Sequence, residues 1–291
     1  MYDIVIIGAG IAGLTAAIYG VRANKKVLII EKQNYGGRII SATHVKNYPG
    51  FIDISGVDLA TNLYVQATSL GAELVFEDAK SIQNGINKKV ITDRNEYDCK
   101  SIIIATGLER RSLNIPGEKE LIGKGVSYCA SCDGNFYKDK VVAVVGGGKS
   151  AIEDAIYLSN LASKVYLISR KDLEENLEKD NIEIITNYSV ENINYKDSIE
   201  SIDIVNGEDK KNIKVDGLFI SIGYDSSNEE FESVIELDDK GYIIADNTHT
   251  NLDGIFAAGD CVKKELRQLV TAASDGAIAA TEAIKYIEKN R

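Results

Sequence analysis

The stretch DIVIIGAGIAG, residues 3–13, decides the fold that this chain can adopt. Its first half is an apolar, β-branched run that predicts a buried strand over residues 3–7, and its second half is a glycine-rich turn. A helical pattern over residues 14–23 and a second strand over residues 26–30 follow, and Glu31 ends that strand. The order strand, glycine turn, helix, strand and acid predicts a Rossmann-type βαβ unit.

The glycine turn of this unit has the G-x-G-x-x-G spacing of dinucleotide-binding proteins, with Ala12 inside it. Gly8 permits the tight turn, Gly10 lets a pyrophosphate approach the backbone, and Gly13 allows the helix to pack closely on the sheet. Glu31 stands where a carboxylate accepts hydrogen bonds from ribose hydroxyls. The glycine pattern alone would be weak evidence, but the flanking strand, helix and acid together predict a dinucleotide site.

The same unit recurs 138 residues further along the chain, without a gap in register. A strand over residues 141–145, three glycines at 146–148, a helix and a strand over residues 164–168 repeat the first order. The position equivalent to Glu31 is Ser169, so the second copy lacks the acid that would bind a ribose. The repeat predicts two nucleotide-type domains.

The remaining segments predict how the two domains are connected. A buried strand and turn at 101–107 precede a proline-containing linker at 113–117, and a late strand at 254–260 leads into an alanine-rich helix at 269–287. That late part is typical of a return to the first domain. We therefore expect an α/β protein with two Rossmann-like, three-layer nucleotide-binding domains, the second inserted in the first. The expected bounds are 1–112 for the first domain, 113–245 for the second, and 246–291 for the return.

Composition narrows the class of protein. The 291 residues are 44% hydrophobic and 26% charged, which is typical of a globular protein long enough for two domains. The chain opens directly into its first strand and has no apolar run of membrane-spanning length, so we expect a cytoplasmic protein. A formal net charge of -11 argues against binding to nucleic acid or to an anionic membrane.

The four cysteines include one close pair, Cys129 and Cys132, followed directly by Asp133. A zinc site would need a second close pair or neighbouring histidines, and the two histidines of the chain lie far apart, so we expect no metal. In a cytoplasmic protein such a pair is more often catalytic than structural, which favours a redox disulfide. Cys99 and Cys261 have no near partner in sequence. Such cysteines are more often packing residues, but the sequence leaves their roles open, and Cys261 directly follows Asp260.

Further short motifs follow one another along the chain in order. They are Gly36-Gly37, Asn47-Tyr48-Pro49-Gly50, Ala105-Thr106-Gly107, Gly259-Asp260 and Arg267-Gln268-Leu269. With the glycine turn, Glu31 and the cysteine pair, they make the chain resemble the low-molecular-weight thioredoxin reductases over nearly its full length. The resemblance implies that these motifs form an FAD site in the first domain and that the second domain carries the cysteine pair.

The resemblance also implies roles for particular side chains. Asp260 would hold the ribityl chain of the flavin, and the helix beginning near Gln268 would direct its positive end at the flavin ring. Cys132 would be the sulfur that faces the flavin, Cys129 would attack the disulfide of thioredoxin, and Asp133 would supply the proton. The family further implies thioredoxin as partner and a homodimer.

The second copy departs from the family in the residues that recognise NADPH. NADPH-dependent members carry a His-Arg-Arg run and a later arginine that bind the 2′-phosphate, whereas this chain has Ser169-Arg170-Lys171 and Glu175. A carboxylate in place of a guanidinium repels the phosphate. Three acids at helical spacing, Glu174, Glu175 and Glu178, strengthen that repulsion. The segment 172–180 is also short, with room for about two helical turns.

This departure resembles the ferredoxin-dependent flavin thioredoxin reductases, so we expect ferredoxin as the electron donor. Because ferredoxins are usually acidic and this chain is acidic too, docking would need a local basic patch such as Lys263, Lys264 and Arg267. An NADPH- or NADH-dependent thioredoxin reductase is the first alternative. A flavin-containing redox sensor, in which the cysteine pair reports the cellular state to a partner protein, is an alternative of another class.

Overall fold

The structure is a computed structural model that describes residues 1–173, 177, 179–226 and 228–290, with the backbone alone for residues 110 and 224. The chain divides into two compact units: unit 1 comprises Met1–Glu109 with Asp225–Arg291, and unit 2 comprises Arg110–Tyr224. Unit 2 is therefore inserted in unit 1. The predicted α/β class with parallel, Rossmann-like sheets is confirmed.

A strand–helix–strand segment begins the chain and recurs in unit 2, and further strands follow each of the two segments. The strands are β1 (Tyr2–Ile7), β2 (Val27–Glu31), β3 (Glu73–Phe76), β4 (Ala79–Gln83), β5 (Lys88–Thr92), β6 (Glu96–Ile104), β7 (Glu109–Arg110), β8 (Val126–Ser127), β9 (Val141–Val145), β10 (Lys164–Ser169), β11 (Ile182–Thr186), β12 (Ser189–Tyr195), β13 (Ile199–Asn206), β14 (Asp209–Lys214), β15 (Gly217–Ile220), β16 (Tyr224–Asp225) and β17 (Ile255–Ala257). The α-helices are α1 (Ile11–Arg22), α2 (Gly56–Ser69), α3 (Ala130–Asp133), α4 (Lys149–Ser159) and α5 (Leu269–Lys289). Short 3-10 helices lie at Gly37–Ser41, Gly134–Tyr137 and Glu229–Phe231.

The sheet of unit 1 has the strand order β3-β2-β1-β6-β5-β4, with β17 paired to β6. Strands β1, β2, β3, β6 and β17 run parallel, and β4 and β5 add an antiparallel edge. Ile4 and Ile6 of β1 pack in the core that also holds buried residues of α1 and α5, and the alternate residues Val5 and Ile7 pack in a second core. The unit is thus built on a sheet with a buried core on each face.

The second core of unit 1 explains why the observed boundary differs from the expected one. Phe231, Ile235 and Ile243 pack against buried residues of β1, β2 and β6, so the chain after residue 224 already belongs to unit 1. The boundary expected at residue 245 placed this segment in the second domain. Its sequence contains no G-x-G-x-x-G motif, and its described residues include the short 3-10 helix Glu229–Phe231. Its place in unit 1 depends on contacts with strands far away in sequence.

The five-stranded sheet of unit 2 has the order β11-β10-β9-β15-β8, and all of its pairs are parallel. One face carries α3 and α4 over a core that includes Val142 and Phe219. The other face packs against the antiparallel sheet β12-β13-β14 through side chains such as Ile202 and Ile204. Unit 2 therefore has three layers, and its first strand, β8, leads directly into the cysteine pair.

The repeated unit adopts the expected strand–turn–helix–strand order in both copies. In the first copy the helix begins at Ile11, earlier than the expected residue 14, because the turn already ends at Gly10. The last helix extends to Lys289, beyond the expected residue 287. In the part of the chain that the structure describes, no helix is both long and apolar enough to cross a membrane.

Candidate functional site

The glycine turn of unit 1 requires glycine at two positions. Gly8 has a φ of +106°, and a Cβ there would overlap the carbonyl oxygen of Ala105 at the end of β6. A Cβ on Gly13 would overlap the carbonyl oxygen of Gly8. These contacts let β1, β6 and α1 approach each other closely, as the sequence predicts.

Gly10, in contrast, borders open space. A Cβ at Gly10 would meet no atom within 4 Å, and this residue is the N-cap of α1. Gly37 lies beside it, because a Cβ on Gly37 would come within 3.4 Å of the Gly10 Cα. The Gly36 N–H donates to the carbonyl of Ala9 at 2.7 Å and fixes this second motif against the turn. The open space at the start of a helix suits a diphosphate.

Glu31 lies at the end of β2, with its carboxylate beside the glycine turn. Its Oε2 accepts a hydrogen bond from the Ala9 N–H at 2.8 Å, and its Oε1 accepts one from the Gln33 N–H at 2.9 Å. Each carboxylate oxygen has a further lone pair. The fixed carboxylate can therefore still accept hydrogen bonds from ribose hydroxyls.

Asp260 follows β17 and carries an unsatisfied acceptor. Its Oδ2 pairs with the Arg38 guanidinium. Its Oδ1 is buried and has no hydrogen-bond partner among the described residues. Gly259, with a φ of +84°, brings this turn against Ala12 at the start of α1. Because a buried acceptor without a donor is costly, Asp260 is suited to accept from a hydroxyl of a bound ligand.

Arg38 was not among the residues predicted from the sequence. It lies one position after Gly37, in the 3-10 helix Gly37–Ser41, and its partner is 222 residues away. Its position directly after the glycine pair is the only local signal that could have indicated it. Arg38 fixes the orientation of the Asp260 carboxylate through a charge-assisted hydrogen bond.

Two of the late predicted residues, Gln268 and Leu269, lie at the start of α5. Gln268 is the N-cap and forms a reciprocal capping pair with Thr271. The Asn47 side chain donates to the Gln268 Oε1 at 3.1 Å, so two motifs that are distant in sequence meet here. Leu269 is the first residue of this 21-residue helix. The partial positive charge at the helix start favours a negatively charged group nearby.

The side chain of Arg267 contacts other residues of unit 1. Its guanidinium lies over the Tyr242 ring at 4.4 Å from the ring centroid. Its Nε also donates to the backbone carbonyl of Asp260 at 3.4 Å. Arg267 therefore stabilises the turn at Asp260 through its backbone carbonyl, and the cation–π contact with Tyr242 holds the Arg267 side chain in place.

The Ala105-Thr106-Gly107 motif follows β6 at the same edge of the sheet. The Ala105 N–H donates to the Ile7 carbonyl at 2.7 Å, and Gly107, with a φ of +70°, borders open space. The Thr106 hydroxyl donates to the Asn228 Oδ1 at 2.8 Å. Asn228 is fully buried and was missed by sequence reasoning, because it lies in a segment without a recognisable motif.

The two remaining cysteines are buried in unit 1 and are not part of a disulfide. Burial raises the pKa of the Cys99 thiol to about 12, although Lys88 opposes the rise. Burial also raises the pKa of the Cys261 thiol, which lies 3.3 Å from the carbonyl oxygen of Ala258. A buried thiol with a raised pKa is a poor nucleophile, which favours a packing role for both residues.

Cys129 and Cys132 form a disulfide in unit 2, with their Cα atoms 5.3 Å apart. Cys129 is half-buried and is the N-cap of α3, whereas Cys132 is exposed within that helix. The helix continues into the 3-10 helix Gly134–Tyr137. A disulfide spanning a single exposed turn is accessible to a thiol–disulfide exchange partner.

Asp133 is held beside this disulfide by hydrogen bonds on both its backbone and its side chain. Its N–H donates to the carbonyl of Cys129 at 3.1 Å. Its Oδ2 accepts from the Ser127 hydroxyl at 2.6 Å, and the same hydroxyl oxygen accepts from the Cys129 N–H at 3.1 Å. The sequence predicted Asp133 from its adjacency to the pair, but it gave no indication of Ser127.

A buried carboxylate secures the segment in front of the cysteine pair. Glu118 is 1% exposed, and its Oε1 accepts from the Tyr128 hydroxyl at 2.5 Å. It also accepts from the Ser112 hydroxyl and from the N–H groups of Leu113 and Asn114. Burial alone would raise the pKa of Glu118, but these hydrogen bonds hold it below its usual value. The residue adjoining Cys129 is thereby fixed to the first segment of unit 2.

The second glycine turn keeps its backbone geometry but differs at the end of its second strand. Gly146 has a φ of +151°, and a Cβ there would overlap the Ser221 carbonyl oxygen. Ser169 is 3% exposed, and its hydroxyl lies against Gly147, where a Cβ would not fit. The hydroxyl oxygen accepts from the Lys171 N–H at 3.3 Å. Ser169 thus stabilises its own loop and offers no carboxylate to a ribose.

The loop that would bind a 2′-phosphate is described only in part. Arg170 and Lys171 are both exposed, and residues 172, 173, 177 and 179 are not helical, although the segment had room for about two helical turns. The three acids expected to repel a phosphate lie outside the described residues: Glu174, Glu175 and Glu178. The described part of the loop therefore offers two exposed cations, Arg170 and Lys171.

The expected basic docking patch is smaller than the sequence suggested. Lys264 pairs with the Asp275 carboxylate and is 17% exposed, and Arg267 is held over Tyr242. Of the three residues in the expected patch, Lys263 is the exposed one. Asp275 also accepts from the Gly259 N–H, so Lys264 supports the Asp260 turn from inside unit 1.

Comparisons with known proteins place the chain among redox enzymes. The family model described as pyridine nucleotide-disulphide oxidoreductase matches residues 2–276. A thioredoxin reductase of Peptoclostridium acidaminophilum is 42% identical over 309 residues, which cover 100% of this chain and 98% of that protein. The crystal structure of thioredoxin reductase from Streptococcus pyogenes is 38% identical, has a TM-score of 0.94, and is covered at 99% in both chains. A ferredoxin-flavin thioredoxin reductase from Clostridium acetobutylicum is 35% identical, with a TM-score of 0.56 and coverage of 99% of this chain and 98% of that one.

Proposed function

The chain belongs to the pyridine nucleotide-disulphide oxidoreductase family, and from that premise we propose that it acts as a thioredoxin reductase. Thioredoxin reductases of this family are FAD flavoproteins, and FAD is the cofactor of this chain. The observation that carries the proposal is the Cys129–Cys132 disulfide, placed in one short helix with Asp133 beside it. Its substrate would be the disulfide of a thioredoxin.

The residues of unit 1 fit FAD. The open space at Gly10 would take the pyrophosphate, Glu31 would accept from a ribose hydroxyl, and the unsatisfied Oδ1 of Asp260 would accept from the ribityl chain. The N-terminus of α5 at Gln268 and Leu269 would favour negative charge on the flavin ring. When bound, FAD supplies the two electrons that reduce the cysteine pair.

The chemistry of the reduced pair is a balanced thiol–disulfide exchange. The Cys129 thiolate attacks one sulfur of the thioredoxin disulfide, forming a mixed disulfide and releasing the other thioredoxin sulfur. The Cys132 thiolate then attacks the Cys129 sulfur, which restores the Cys129–Cys132 disulfide and releases the second thioredoxin sulfur. The pair loses two electrons, thioredoxin gains them, and Asp133 passes protons between the sulfurs and the solvent.

Turnover separates this function from that of a redox sensor. Chemically reduced holoprotein, mixed anaerobically with oxidised thioredoxin, should yield thioredoxin thiols in a single turnover. A Cys132→Ser variant should bind FAD normally, trap the mixed disulfide between Cys129 and thioredoxin, and release no fully reduced thioredoxin. Failure of the unaltered protein to reduce thioredoxin would favour a sensor, in which the disulfide reports redox state to a partner.

The proposed electron donor is ferredoxin. Ser169 stands at the position of the ribose-binding acid, and its hydroxyl is engaged with the Lys171 backbone. Of the residues that bind a 2′-phosphate in NADPH-dependent members, the sequence keeps one arginine, Arg170, and has Lys171 and Glu175 in place of the others. The likeness to the ferredoxin-flavin thioredoxin reductase supports the same choice. FAD suits this role because it accepts electrons singly or in pairs.

An NADPH- or NADH-dependent thioredoxin reductase is the second candidate. It is favoured by the intact glycine turn at Gly146 and Gly148, which still begins a helix, and by the plain thioredoxin reductases among the relatives. Anaerobic addition of each donor to the oxidised holoprotein distinguishes the two candidates. Reduction of the flavin by a nucleotide at micromolar concentration would favour this second candidate over ferredoxin.

The family resemblance also leads us to propose a homodimer that acts in the cytoplasm. The chain exposes apolar side chains, among them Ile52, which is 97% exposed, and Val57, which is 55% exposed, and burial of such side chains against a second copy would favour a dimer. Light scattering of the purified holoprotein should give twice the mass of one chain. A monomer at micromolar concentration would contradict the proposal.

A further inference from the structure

We propose that Ser127 is a positioning residue for Asp133: its hydroxyl holds the carboxylate at the disulfide and thereby sets the rate of sulfur chemistry. The proposal rests on the function proposed above, in which Asp133 passes protons to and from the cysteine sulfurs.

The hydroxyl of Ser127 makes two hydrogen bonds that link the nucleophile to the acid. It donates to the Asp133 Oδ2 at 2.6 Å and accepts from the Cys129 N–H at 3.1 Å. A serine hydroxyl has one hydrogen to donate, and the carboxylate is the nearer of its two acceptors, since the Cys129 carbonyl lies at 3.4 Å. A single buried hydroxyl thus joins the backbone of Cys129 to the side chain of Asp133.

The hydroxyl is itself fixed by the core of unit 2. Ser127 is 3% exposed and is the last residue of β8, where it pairs with Phe219 of β15. Phe219 is 1% exposed and meets the Tyr137 ring edge-on, with the ring centroids 5.2 Å apart. Tyr137 ends the 3-10 helix that begins directly after Asp133. The strand before the disulfide and the helix after it are therefore anchored to the same core.

This anchoring has a consequence for proton transfer. The Asp133 backbone is held by its N–H bond to Cys129, so the orientation of its carboxylate depends on χ rotation. The bond from Ser127 engages Oδ2 and holds the carboxylate in one rotamer. Without it, the carboxylate can rotate away towards solvent. Because general acids are effective only within hydrogen-bond reach, loss of Ser127 should slow the exchange about tenfold to a hundredfold.

A double-mutant cycle distinguishes a positioning role from a structural one. The variants are Ser127→Ala, Ser127→Thr, Asp133→Asn and the Ser127→Ala/Asp133→Asn pair, each as holoprotein. Two rates are measured on the chemically reduced protein: single-turnover reduction of oxidised thioredoxin, and alkylation of the pair by iodoacetamide across pH. Alkylation does not depend on thioredoxin or on the electron donor. Ser101→Ala, which removes another buried serine hydroxyl bonded at 2.8 Å to Gly254 in unit 1, is the matched control.

We expect Ser127→Ala to slow single-turnover exchange and shift the alkylation profile, Ser127→Thr to restore both, and Ser101→Ala to leave both unchanged. In the Asp133→Asn background, Ser127→Ala should have no further effect. An undiminished additional effect in that background, or failure of Ser127→Thr to restore the profile, would overturn the positioning role. If the unaltered protein alkylates as expected but never reduces thioredoxin, the proposed function is contradicted. The effect of Ser127 on the pair would still be measured by the alkylation rates.

Discussion

The two copies of the βαβ unit have the same backbone but different chemistry at one position. Gly8 and Gly146 both have positive φ and both lie against a backbone carbonyl at the end of a neighbouring strand. At the end of the second strand, Glu31 offers a carboxylate that accepts from the Ala9 N–H. Its counterpart, Ser169, is buried against Gly147 and accepts from its own loop.

The backbone geometry of the glycine turn can therefore be kept while the residue that contacts the ligand changes. The glycines serve the close packing of strand, helix and sheet, and that packing is needed whether or not a nucleotide binds. The acid accepts from the Ala9 and Gln33 N–H groups and is also the group that offers acceptors to a ribose. A chain can therefore keep the fold of a nucleotide domain while its recognition residues change, so an intact glycine turn in unit 2 does not by itself indicate NADPH.

The largest expected effect separates FAD binding in unit 1 from sulfur chemistry in unit 2. Cys129→Ser and Cys132→Ser should each lower thioredoxin turnover at least about a thousandfold, because exchange needs both sulfurs. FAD affinity should be unchanged, since the residues proposed to bind FAD lie in unit 1. Steady-state thioredoxin reduction and flavin fluorescence titration measure the two quantities. Substantial turnover by Cys132→Ser would contradict the assigned sulfur chemistry.

The next effect tests the residue that differs between the copies. Glu31→Ser places the residue of copy two into copy one and removes a charged acceptor, so FAD affinity should fall about tenfold to a hundredfold. The control, Ser169→Ala, removes the corresponding hydroxyl and should leave FAD affinity unchanged. Equal losses of FAD affinity in the two variants would contradict the assignment of FAD binding to the first copy alone. Release of flavin from the holoprotein, followed by its fluorescence, provides the measurement.

A smaller effect tests the packing of the two helices. Gly13→Ala should destabilise the apoprotein by about 1–3 kcal/mol, because the new Cβ overlaps the Gly8 carbonyl oxygen. Copy two already carries Ala151 at the equivalent position, and Ala151→Gly should cost about 1 kcal/mol through helix propensity. Urea unfolding of the apoproteins compares the free energies. A neutral Gly13→Ala would show that copy one tolerates a Cβ at this position, as copy two does with Ala151.

The smallest effect concerns Glu118, which fixes the residue before Cys129 to the first segment of unit 2. The pKa of Glu118 is lower in the folded protein than in the unfolded chain, so the ionised carboxylate stabilises the fold. This stabilisation is fully present above the pKa of an unfolded glutamate. It is lost as the pH falls through the pKa of Glu118 in the folded protein. Glu118→Gln should cost about 1–2 kcal/mol at neutral pH. Towards about pH 3 the difference from the unaltered protein should shrink. Urea unfolding at both pH values checks this, and a difference that grew on acidification would refute it.

The sequence indicated those features of the fold and site that depend on residues close to one another in the chain. The glycine turn, the acid at the end of the next strand and the cysteine pair with Asp133 all lie within short windows. The repeat of the unit was visible because Gly8 and Gly146 begin segments that match without a gap. Their strands and helices therefore form where the pattern predicts them.

The features that were missed depend on contacts between distant segments. Arg38 and Asp260 are 222 residues apart, and the fully buried Asn228 lies in a segment without a motif. The unit boundary after residue 224 follows from Phe231 packing into the sheet of unit 1, which no local pattern encodes. Ser127 was missed because its hydroxyl is directed at Asp133 by the pairing of β8 with β15.

The most direct test of the account is the source of the electrons. Oxidised holoprotein is mixed anaerobically with reduced ferredoxin, NADPH or NADH, and the loss of oxidised-flavin absorbance is followed over time. Ser169 leaves no acid to bind the ribose of NADH, and Ser169-Arg170-Lys171 with Glu175 replaces the residues that bind the 2′-phosphate of NADPH. We therefore predict rapid loss with reduced ferredoxin and no loss with either nucleotide at micromolar concentration. Rapid loss with NADPH or NADH would contradict it and would mean that copy two still delivers hydride.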